Sequence, residues 1–309
     1  MKKNTLIYSI LATFMFLTSC GSDNDGFDPY KAQEKHPFYP TALTFRSSNS
    51  NTEITENWTF EYDEEYRISN YTYEKSIKGS DREIVETSTG NLRYFTDFDN
   101  RQRINTNITS EYTSTKQGQT INYTENLKED VRFDGNLIAS IETTGERNTK
   151  GVIENISTER TFSYAKEYCT GSIYRDNSNN EQTYTYQWDN TLLKGVTIYK
   201  QNGNNSETTN DSYIYSYNTR EVADDYGFNP LAFVYGHNPE IYAAMGYFGK
   251  VTPFVIEQEK YESYDKINNE KYPTQSETHE YIIQTTNNSL SFTADPSEAY
   301  DEYQYTFRK

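Results

Sequence analysis

Side chains that could perform chemistry are few in this sequence of 309 residues. It contains two cysteines, Cys20 and Cys169, and three histidines, His36, His237 and His279, which lack the paired spacing typical of a zinc site. The 46 acidic residues could supply the opposed carboxyls of a glycoside hydrolase. Most of them, however, fall in turns and on polar strand faces, where solvation accounts for them. The pattern predicts no metal and no cofactor, and favours a non-catalytic protein over a hydrolase.

Cys20 is the residue with the clearest predicted chemistry. Lys2 and Lys3 precede an apolar stretch at positions 6–17 that is too short to span a bilayer comfortably. The sequence Leu17-Thr18-Ser19-Cys20 then resembles the bacterial lipobox. In that motif the cysteine becomes the first mature residue and carries the lipid. We therefore expect a signal peptide at 1–19 and lipidation of Cys20.

The residues after Cys20 indicate a location. Positions 20–36 are polar and are predicted to form a flexible acidic tether. Within them, Ser22-Asp23-Asn24-Asp25 resembles the signal that exports lipoproteins of the Bacteroidetes to the outer face of the outer membrane. We expect a protein anchored in the outer membrane by the lipid on Cys20 and facing the cell exterior. Cys169 is then a lone thiol, predicted to be a small buried side chain.

The charge of the chain excludes one class of partner. The formal net charge is -17, and it becomes -19 once residues 1–19, which hold two lysines and no acids, are removed. Such a surface repels nucleic acid, so the sequence predicts no nucleic-acid partner. It predicts no particular oligomeric state.

Aromatic residues at alternate positions predict the fold class. The chain has 30 tyrosines and 16 phenylalanines, which favour β-sheet and can build a core in place of aliphatic residues. Because side chains alternate between the faces of a strand, each aromatic triplet should lie on one face. The triplets are Trp58, Phe60 and Tyr62; Tyr184, Tyr186 and Trp188; Tyr213, Tyr215 and Tyr217; and Tyr303, Tyr305 and Phe307.

Turn residues follow these runs at regular intervals. Asp63, Asp99, Asp134 and Asp189 mark predicted turns, each followed by a returning strand. Consecutive strands usually pair. The sequence therefore predicts an all-β protein: a long antiparallel up-and-down meander of about a dozen strands, curved or partly closed like a barrel. Residues 37–309 would form this single domain.

The alternation is interrupted between 219 and 257. Asn229-Pro230 and Asn238-Pro239 each open a short apolar run that glycine ends, which predicts two short helices near 230–235 and 239–245. Helices this short need packing to be stable. We expect residues 226–250 to form a plug or lid on the apolar face of the sheet.

These features together resemble a family of Bacteroidetes surface lipoproteins of unknown function with a porin-like β fold. The resemblance rests on the lipobox, on the repeated aromatic-Asp turns, and on Gly246-Tyr247-Phe248-Gly249-Lys250 followed by Pro253. It implies an antiparallel, barrel-like meander over most of the mature chain. It implies no activity.

The expected function is therefore binding. We predict a lipid-anchored module that binds a glycan or a protein partner without catalysis. One alternative is a carrier that encloses a small apolar ligand under the lid at 226–250, and another is a hydrolase. The candidate ligand-binding residues lie where the repeat is broken, and are Tyr235, His237, Tyr242, Tyr247 and Phe248.

Overall fold

The fold is known from a computed structural model, which describes residues 39–49, 51–201, 208–221, 242, 247–249, 254–267, 270–285, 289–294 and 299–308. The described chain contains sixteen β-strands in sequence order. Their bounds are Tyr39–Asn49 (β1), Thr52–Tyr62 (β2), Ile68–Gly79 (β3), Arg82–Thr96 (β4), Gln102–Lys116 (β5), Gln119–Asp134 (β6), Leu137–Thr149 (β7), Val152–Ala165 (β8), Tyr168–Asp176 (β9), Glu181–Asp189 (β10), Leu192–Gln201 (β11), Thr208–Glu221 (β12), Phe254–Ile267 (β13), Glu270–Thr285 (β14), Ser289–Ala294 (β15) and Ala299–Arg308 (β16).

The strands form one antiparallel barrel. Each pairs with its neighbours in sequence, and β1 also pairs with β16, from Tyr39 opposite Arg308 to Asn49 opposite Ala299, so the ring of strands is closed. The predicted all-β antiparallel meander is confirmed. The prediction of about a dozen strands is wrong, because β5 to β8 carry mostly Thr, Asn, Ser and charged residues and lack the aromatic triplets that mark strands elsewhere.

The aromatic triplets face the barrel lumen. Phe60, Tyr184, Tyr215 and Tyr305 are buried in the core, and their partners at alternate positions, such as Trp58 and Tyr186, pack against it. The predicted placement of each triplet on one face is therefore confirmed for the side chains described.

The outer face of the barrel is polar. Thr59, Thr72, Thr89 and Thr109 lie opposite one another in a row across β2 to β5, and all four are exposed. A neighbouring row contains Asn70 and Asn91, whose side chains are joined by a hydrogen bond of 2.6 Å, as well as Glu61, Asn107 and Lys128. Most outward positions of the described strands thus carry groups that bind water, although Val85, Ile153, Ile214 and Ile282 are exposed apolar side chains on the same face.

One end of the barrel, here called the packed end, holds the turns after β2, β4, β6, β8 and β10. At the turn after β2, the Asp63 carboxylate accepts hydrogen bonds of 2.9 Å from the backbone N–H of both Glu65 and Arg67. Asp97 accepts equivalent bonds in the turn after β4, and Asp176 does so in the turn after β9, which lies at the other end of the barrel. Asp63, Asp99, Asp134 and Asp189 all lie in or beside hairpin turns as predicted, although Asp97 rather than Asp99 makes the bonds in the second turn.

The other end, here called the mouth, holds the turns after β3, β5, β7 and β9. Since β1 runs towards the mouth, both Tyr39 at its start and Arg308, paired with Tyr39, lie at the packed end. The lumen at the packed end is filled by Ile68, Ile104, Ile138 and Leu193, all nearly without solvent exposure.

Part of the segment between β12 and β13 packs inside the lumen. Tyr247 makes an edge-to-face contact with Phe133 at 5.4 Å between ring centroids, and Phe248 lies 5.0 Å from the ring of Phe162. Gly249 forms a bridge with Tyr168. The two predicted helices fall outside the described residues, apart from Tyr242, which has a helical conformation. Among the described residues, no helix has the length and apolarity needed to cross a membrane.

Candidate functional site in the barrel lumen

In the part of the chain that the structure describes, the lumen is open at the mouth. By strand alternation Ile121 on β6 and Val152 on β8 point inwards, yet they are 56% and 70% exposed. Inward-facing residues near the packed end, such as Ile104 and Ile138, are fully buried. Solvent therefore enters the lumen from the mouth and is excluded from the packed end.

A cavity of about 280 Å³ lies against the inner wall formed by β6 to β9. Its apolar lining comes from Leu127, Ile141 and Ile156. Its polar lining comes from Glu125, Glu129, Thr143, Arg147, Arg160 and Tyr174. This mixture of a few polar groups on an apolar wall is typical of small-molecule sites.

Arg147 and Glu125 form the side of the cavity nearer the mouth. Nε and Nη2 of Arg147 both lie 2.7 Å from Oε1 of Glu125, and the guanidinium carbon lies 4.6 Å from the centre of the Tyr123 ring. Burial together with the charge of Glu125 raises the pKa of Tyr123 to about 12. The Arg147 side chain is 37% exposed, so this ion pair remains within reach of a ligand entering from the mouth.

Arg160 projects from β8 into the same cavity and is held by aromatic rings. Its guanidinium carbon lies 5.4 Å from the ring centre of Tyr174 and 5.1 Å from that of Tyr184. Tyr184 is almost completely buried and donates a hydrogen bond of 2.7 Å to Gln182. The rings fix the guanidinium in place, because a cation over an aromatic face is attracted by the ring quadrupole.

Glu129 lies on the side of the cavity nearer the packed end. Its Oε2 accepts a hydrogen bond of 2.8 Å from the hydroxyl of Tyr242, which also lies 2.8 Å from the hydroxyl of Thr106. Burial raises the pKa of Glu129, although hydrogen bonds from Tyr242 and Thr143 and the charge of Arg160 act in the opposite direction. The carboxyl thus joins the cavity wall to the segment between β12 and β13.

The next part of the inner wall, formed by β11 to β13, carries a second charged network. Asp211 on β12 is buried and accepts hydrogen bonds from Lys200 at 2.5 Å, Ser263 at 2.9 Å and Tyr261 at 3.2 Å. Burial alone raises the pKa of Asp211, but these donors outweigh it and the pKa is lowered. The charges of Asp211 and Lys200 balance each other within the network, and its hydrogen bonds join β11, β12 and β13.

Cys169 is not placed to react. Its thiol donates to the backbone oxygen of Gly171 at 3.6 Å, and burial raises its pKa to about 12. The thiolate, which is the nucleophilic form, is therefore scarce at neutral pH. In the part of the chain that the structure describes, no group of three or more His, Cys, Asp and Glu side chains could hold a metal ion.

Three of the five residues predicted to bind ligand are described. Tyr242, Tyr247 and Phe248 lie together in the lumen, with Tyr242 and Tyr247 fully buried against the wall. Tyr235 and His237 lie outside the described residues. A ligand-binding role for this set stays a prediction, and in the described contacts Tyr242 and Tyr247 seal the packed half of the lumen.

The sequence interpretation missed the four charged residues of the cavity. The alternation of each strand contained a signal. Arg160 lies two and four positions before Phe162 and Tyr164, and Glu129 lies two and four positions before Val131 and Phe133, so each charge is on the same strand face as those apolar residues. A charge that continues an inward-facing row of apolar residues must also face inwards. Such interruptions could have been read as candidate lumen residues.

Comparison with known proteins supports the fold. Neither the protein-family models nor the curated proteins include a match. Two solved porin-like proteins are similar in structure, each at 13% sequence identity. The one from Bacteroides uniformis has a TM-score of 0.50 and covers 89% of this chain and 99% of its own. The one from Bacteroides vulgatus has a TM-score of 0.51 and covers 88% of this chain and 99% of its own. The fold is thus porin-like, as expected.

Proposed function

We propose that this chain is a non-catalytic binding protein of the cell envelope that takes a small polar ligand, such as the terminal unit of a glycan, into its lumen. The observation that supports this most is the cavity of about 280 Å³, which is lined by Arg147, Arg160 and Tyr174 and approached from the mouth. Its volume is near the lower end of the range of about 300–1,000 Å³ for small-molecule sites. It therefore suits one ring-sized unit better than a long chain.

The lining has the chemistry that a sugar requires. A tyrosine ring offers an apolar face, guanidinium groups donate hydrogen bonds and carboxylates accept them, and together these match the apolar faces and hydroxyls of a saccharide. The side chains are also fixed in advance, since Arg147 is held by Glu125 and Arg160 by two rings. A preorganised site loses less conformational entropy when the ligand binds.

Attachment by lipid on Cys20 is the second part of the proposal. It is supported by the lipobox and by the outer face of the barrel, where the rows of Thr59, Thr89 and Asn91 are exposed. A barrel that spans a membrane carries an apolar outer band about 25 Å tall. Outward threonine, asparagine and charged residues are costly in lipid, so we infer an acyl anchor and place the protein at the outer membrane, facing the exterior.

The two alternatives receive less support. A carrier for an apolar ligand would need an apolar cavity, whereas this cavity contains two arginines and two glutamates. A hydrolase would use two carboxyls to transfer protons and attack the sugar. Glu125 is paired with Arg147, and Glu129 accepts a hydrogen bond from Tyr242, so both carboxyls already have partners within the protein.

A glycan-array screen of the soluble form that starts after Cys20 tests the proposal. We expect a restricted set of glycans to bind, and binding to be lost in the double variant Arg160→Gln, Tyr174→Ala. Arg132→Gln is the matched control, because Arg132 lies outside the cavity and pairs with Glu142 at 2.9 Å. Arrays that stay blank for the wild type would refute glycan binding, and release of shortened glycan from a bound hit would refute the non-catalytic assignment.

A further inference from the structure

Two tyrosines form a stacked pair on the inner wall between the cavity and the mouth. Tyr112 on β5 and Tyr123 on β6 are directly opposite each other, with 4.5 Å between ring centroids and 12° between ring planes. Tyr123 lies two positions before Glu125, which lines the cavity, so the pair is about 7 Å nearer the mouth. The pair therefore lies on the approach from the mouth to the cavity.

Tyr112 has a ring face that no other ring or cation covers. Both faces of Tyr123 are occupied, because Tyr112 stacks on one and the guanidinium of Arg147 lies 4.6 Å from the ring centre on the other. Among the described residues, nothing aromatic or cationic packs on the face of Tyr112 that points away from Tyr123, and its hydroxyl has no hydrogen-bond partner. The side chain is half-buried, so this face is within reach of a ligand in the lumen.

A carboxyl lies next to that face. Glu86 on β4 is directly opposite Tyr112, on the side away from Tyr123. Both side chains point into the lumen, since Ser88 and Ser110, two positions away on the same strands, are buried there. Side chains directly opposite each other in a sheet lie close enough to contact one ligand together.

Glu86 keeps its capacity to bind a hydroxyl. Lys75, opposite Glu86 on β3, is paired with Glu56 at 2.6 Å. Within the described part of the chain, Glu86 makes no hydrogen bond and no ion pair. Burial raises its pKa and the charge of Lys75 lowers it, but carboxyl oxygens accept hydrogen bonds in either protonation state. An aromatic face beside an acceptor matches the apolar face and the hydroxyls of a sugar ring.

We propose that Tyr112 and Glu86 form a second sugar subsite, so that the ligand is an oligosaccharide whose terminal unit enters the cavity while a following unit packs on Tyr112. This inference rests on the proposed function and specifies its ligand class as a chain of several units. The cavity alone would not distinguish such a chain from a free monosaccharide. A second subsite on the approach does, because only a chain reaches both.

An array of matched lengths tests this on the soluble form that starts after Cys20. Each sugar is presented as a monosaccharide, a disaccharide and a tetrasaccharide with the same terminal unit, and calorimetry measures the affinities of those that bind. We expect every sugar that binds to do so about tenfold more tightly as the tetrasaccharide than as the monosaccharide, the scale of one added ring contact and hydrogen bond.

Variants assign the length preference to the second subsite. Tyr112→Ala and Glu86→Ala should each lower the affinity for the tetrasaccharide several-fold and leave that for the monosaccharide nearly unchanged. Glu111→Ala is the matched control, because Glu111 adjoins Tyr112 in sequence but is exposed on the outer face. The comparison of lengths in the wild type needs no variant, so the test holds even if Tyr112→Ala does not fold.

The outcomes separate the two proposals. Equal affinity for the monosaccharide and the tetrasaccharide would overturn the second subsite and leave the proposed function in place. A length preference that survives in both Tyr112→Ala and Glu86→Ala would also overturn it, because the added units would then contact other residues. An array that is blank at every length would refute the proposed function and this inference with it.

Discussion

The hydroxyl of Tyr242 donates a hydrogen bond of 2.8 Å to Glu129 Oε2 and so joins the segment between β12 and β13 to the cavity wall. Tyr242→Phe removes the donor and leaves a buried carboxyl without it. We expect the free energy of unfolding to fall by about 1–3 kcal/mol, the cost of an unsatisfied buried acceptor. Urea unfolding measures this. Tyr112→Phe is the control, because Tyr112 is stacked on Tyr123 nearer the mouth; equal losses in both variants would contradict a special role for the bond.

Stability should depend on pH through Glu129. Burial raises its pKa in the folded protein, so folding favours the protonated form. Its contribution to stability is complete below the unfolded pKa of about 4.3 and is lost as the pH rises through the raised folded value. Glu129→Gln lacks this loss. Unfolding measured in steps from pH 4 to pH 8 should therefore show that the free energy of unfolding of the variant increases relative to that of the wild type as the pH rises. A difference that is the same at every pH would refute the raised pKa of Glu129.

The turn after β2 contains a residue of unfavourable type. Tyr66 has a φ of 59°, whereas the equivalent positions in the turns after β4 and β9 are Asn100 at 61° and Asn179 at 59°. Asparagine tolerates this left-handed region better than an aromatic residue does. Tyr66→Asn should stabilise the protein by up to about 1 kcal/mol. The reciprocal Asn100→Tyr should destabilise it by a similar amount, and melting temperatures that move in the same direction would contradict this explanation.

Gly145 on β7 allows two strands to approach closely beside the cavity. A Cβ at this position would lie 2.1 Å from the backbone oxygen of Asn126, so Gly145→Ala must displace β6. We expect a loss of about 1–3 kcal/mol, typical of overpacking. Gly79→Ala is the matched control, since its Cβ would meet only ordinary contacts of 3.5 Å or more. Thermal unfolding of both variants measures the difference, and equal melting temperatures would show that the strands separate without cost.

Cys20→Ser tests the anchor. The variant cannot accept the lipid, so we expect it to leave the membrane fraction or to remain unprocessed at the signal peptide. Fractionation of cells expressing each form, followed by a salt wash, distinguishes these results from the wild type. A variant that stays with washed membranes would show that the lipoprotein assignment is wrong. Cys169→Ser is the control and should remain membrane-bound.

Much of the fold was predictable because aromatic residues mark the inward face. The triplet Tyr184, Tyr186 and Trp188 and the turn at Asp63 predicted strands and turns that the structure contains. The sequence predicted too few strands in the region of the four long strands from Gln102–Lys116 to Val152–Ala165. The outward positions there are mostly polar, and few of the inward residues are aromatic. Composition alone does not separate such strands from polar loops.

The site was less predictable, since it depends on contacts across the barrel. Tyr242 meets Thr106 and Glu129 at sequence separations of 136 and 113 positions. Alternation places each side chain inside or outside, but it does not say which inward residues meet across the lumen. That depends on the curvature of sixteen strands and on the path of the segment between β12 and β13. The inward direction of Arg160 was therefore derivable, while its association with Tyr174 required the structure.

The position of Tyr39 has a consequence for how the barrel stands on a membrane. Strand β1 begins at the packed end, opposite the mouth. In a chain held by lipid on Cys20, residues 21–38 would join the barrel at this end, so the point of attachment and the mouth would lie at opposite ends of the barrel. A polymer arriving from outside would then insert only its tip while the remainder stays in solution. The barrel would then bind the ends of polymer chains, and many copies on one surface could hold a single polymer at several of its branches.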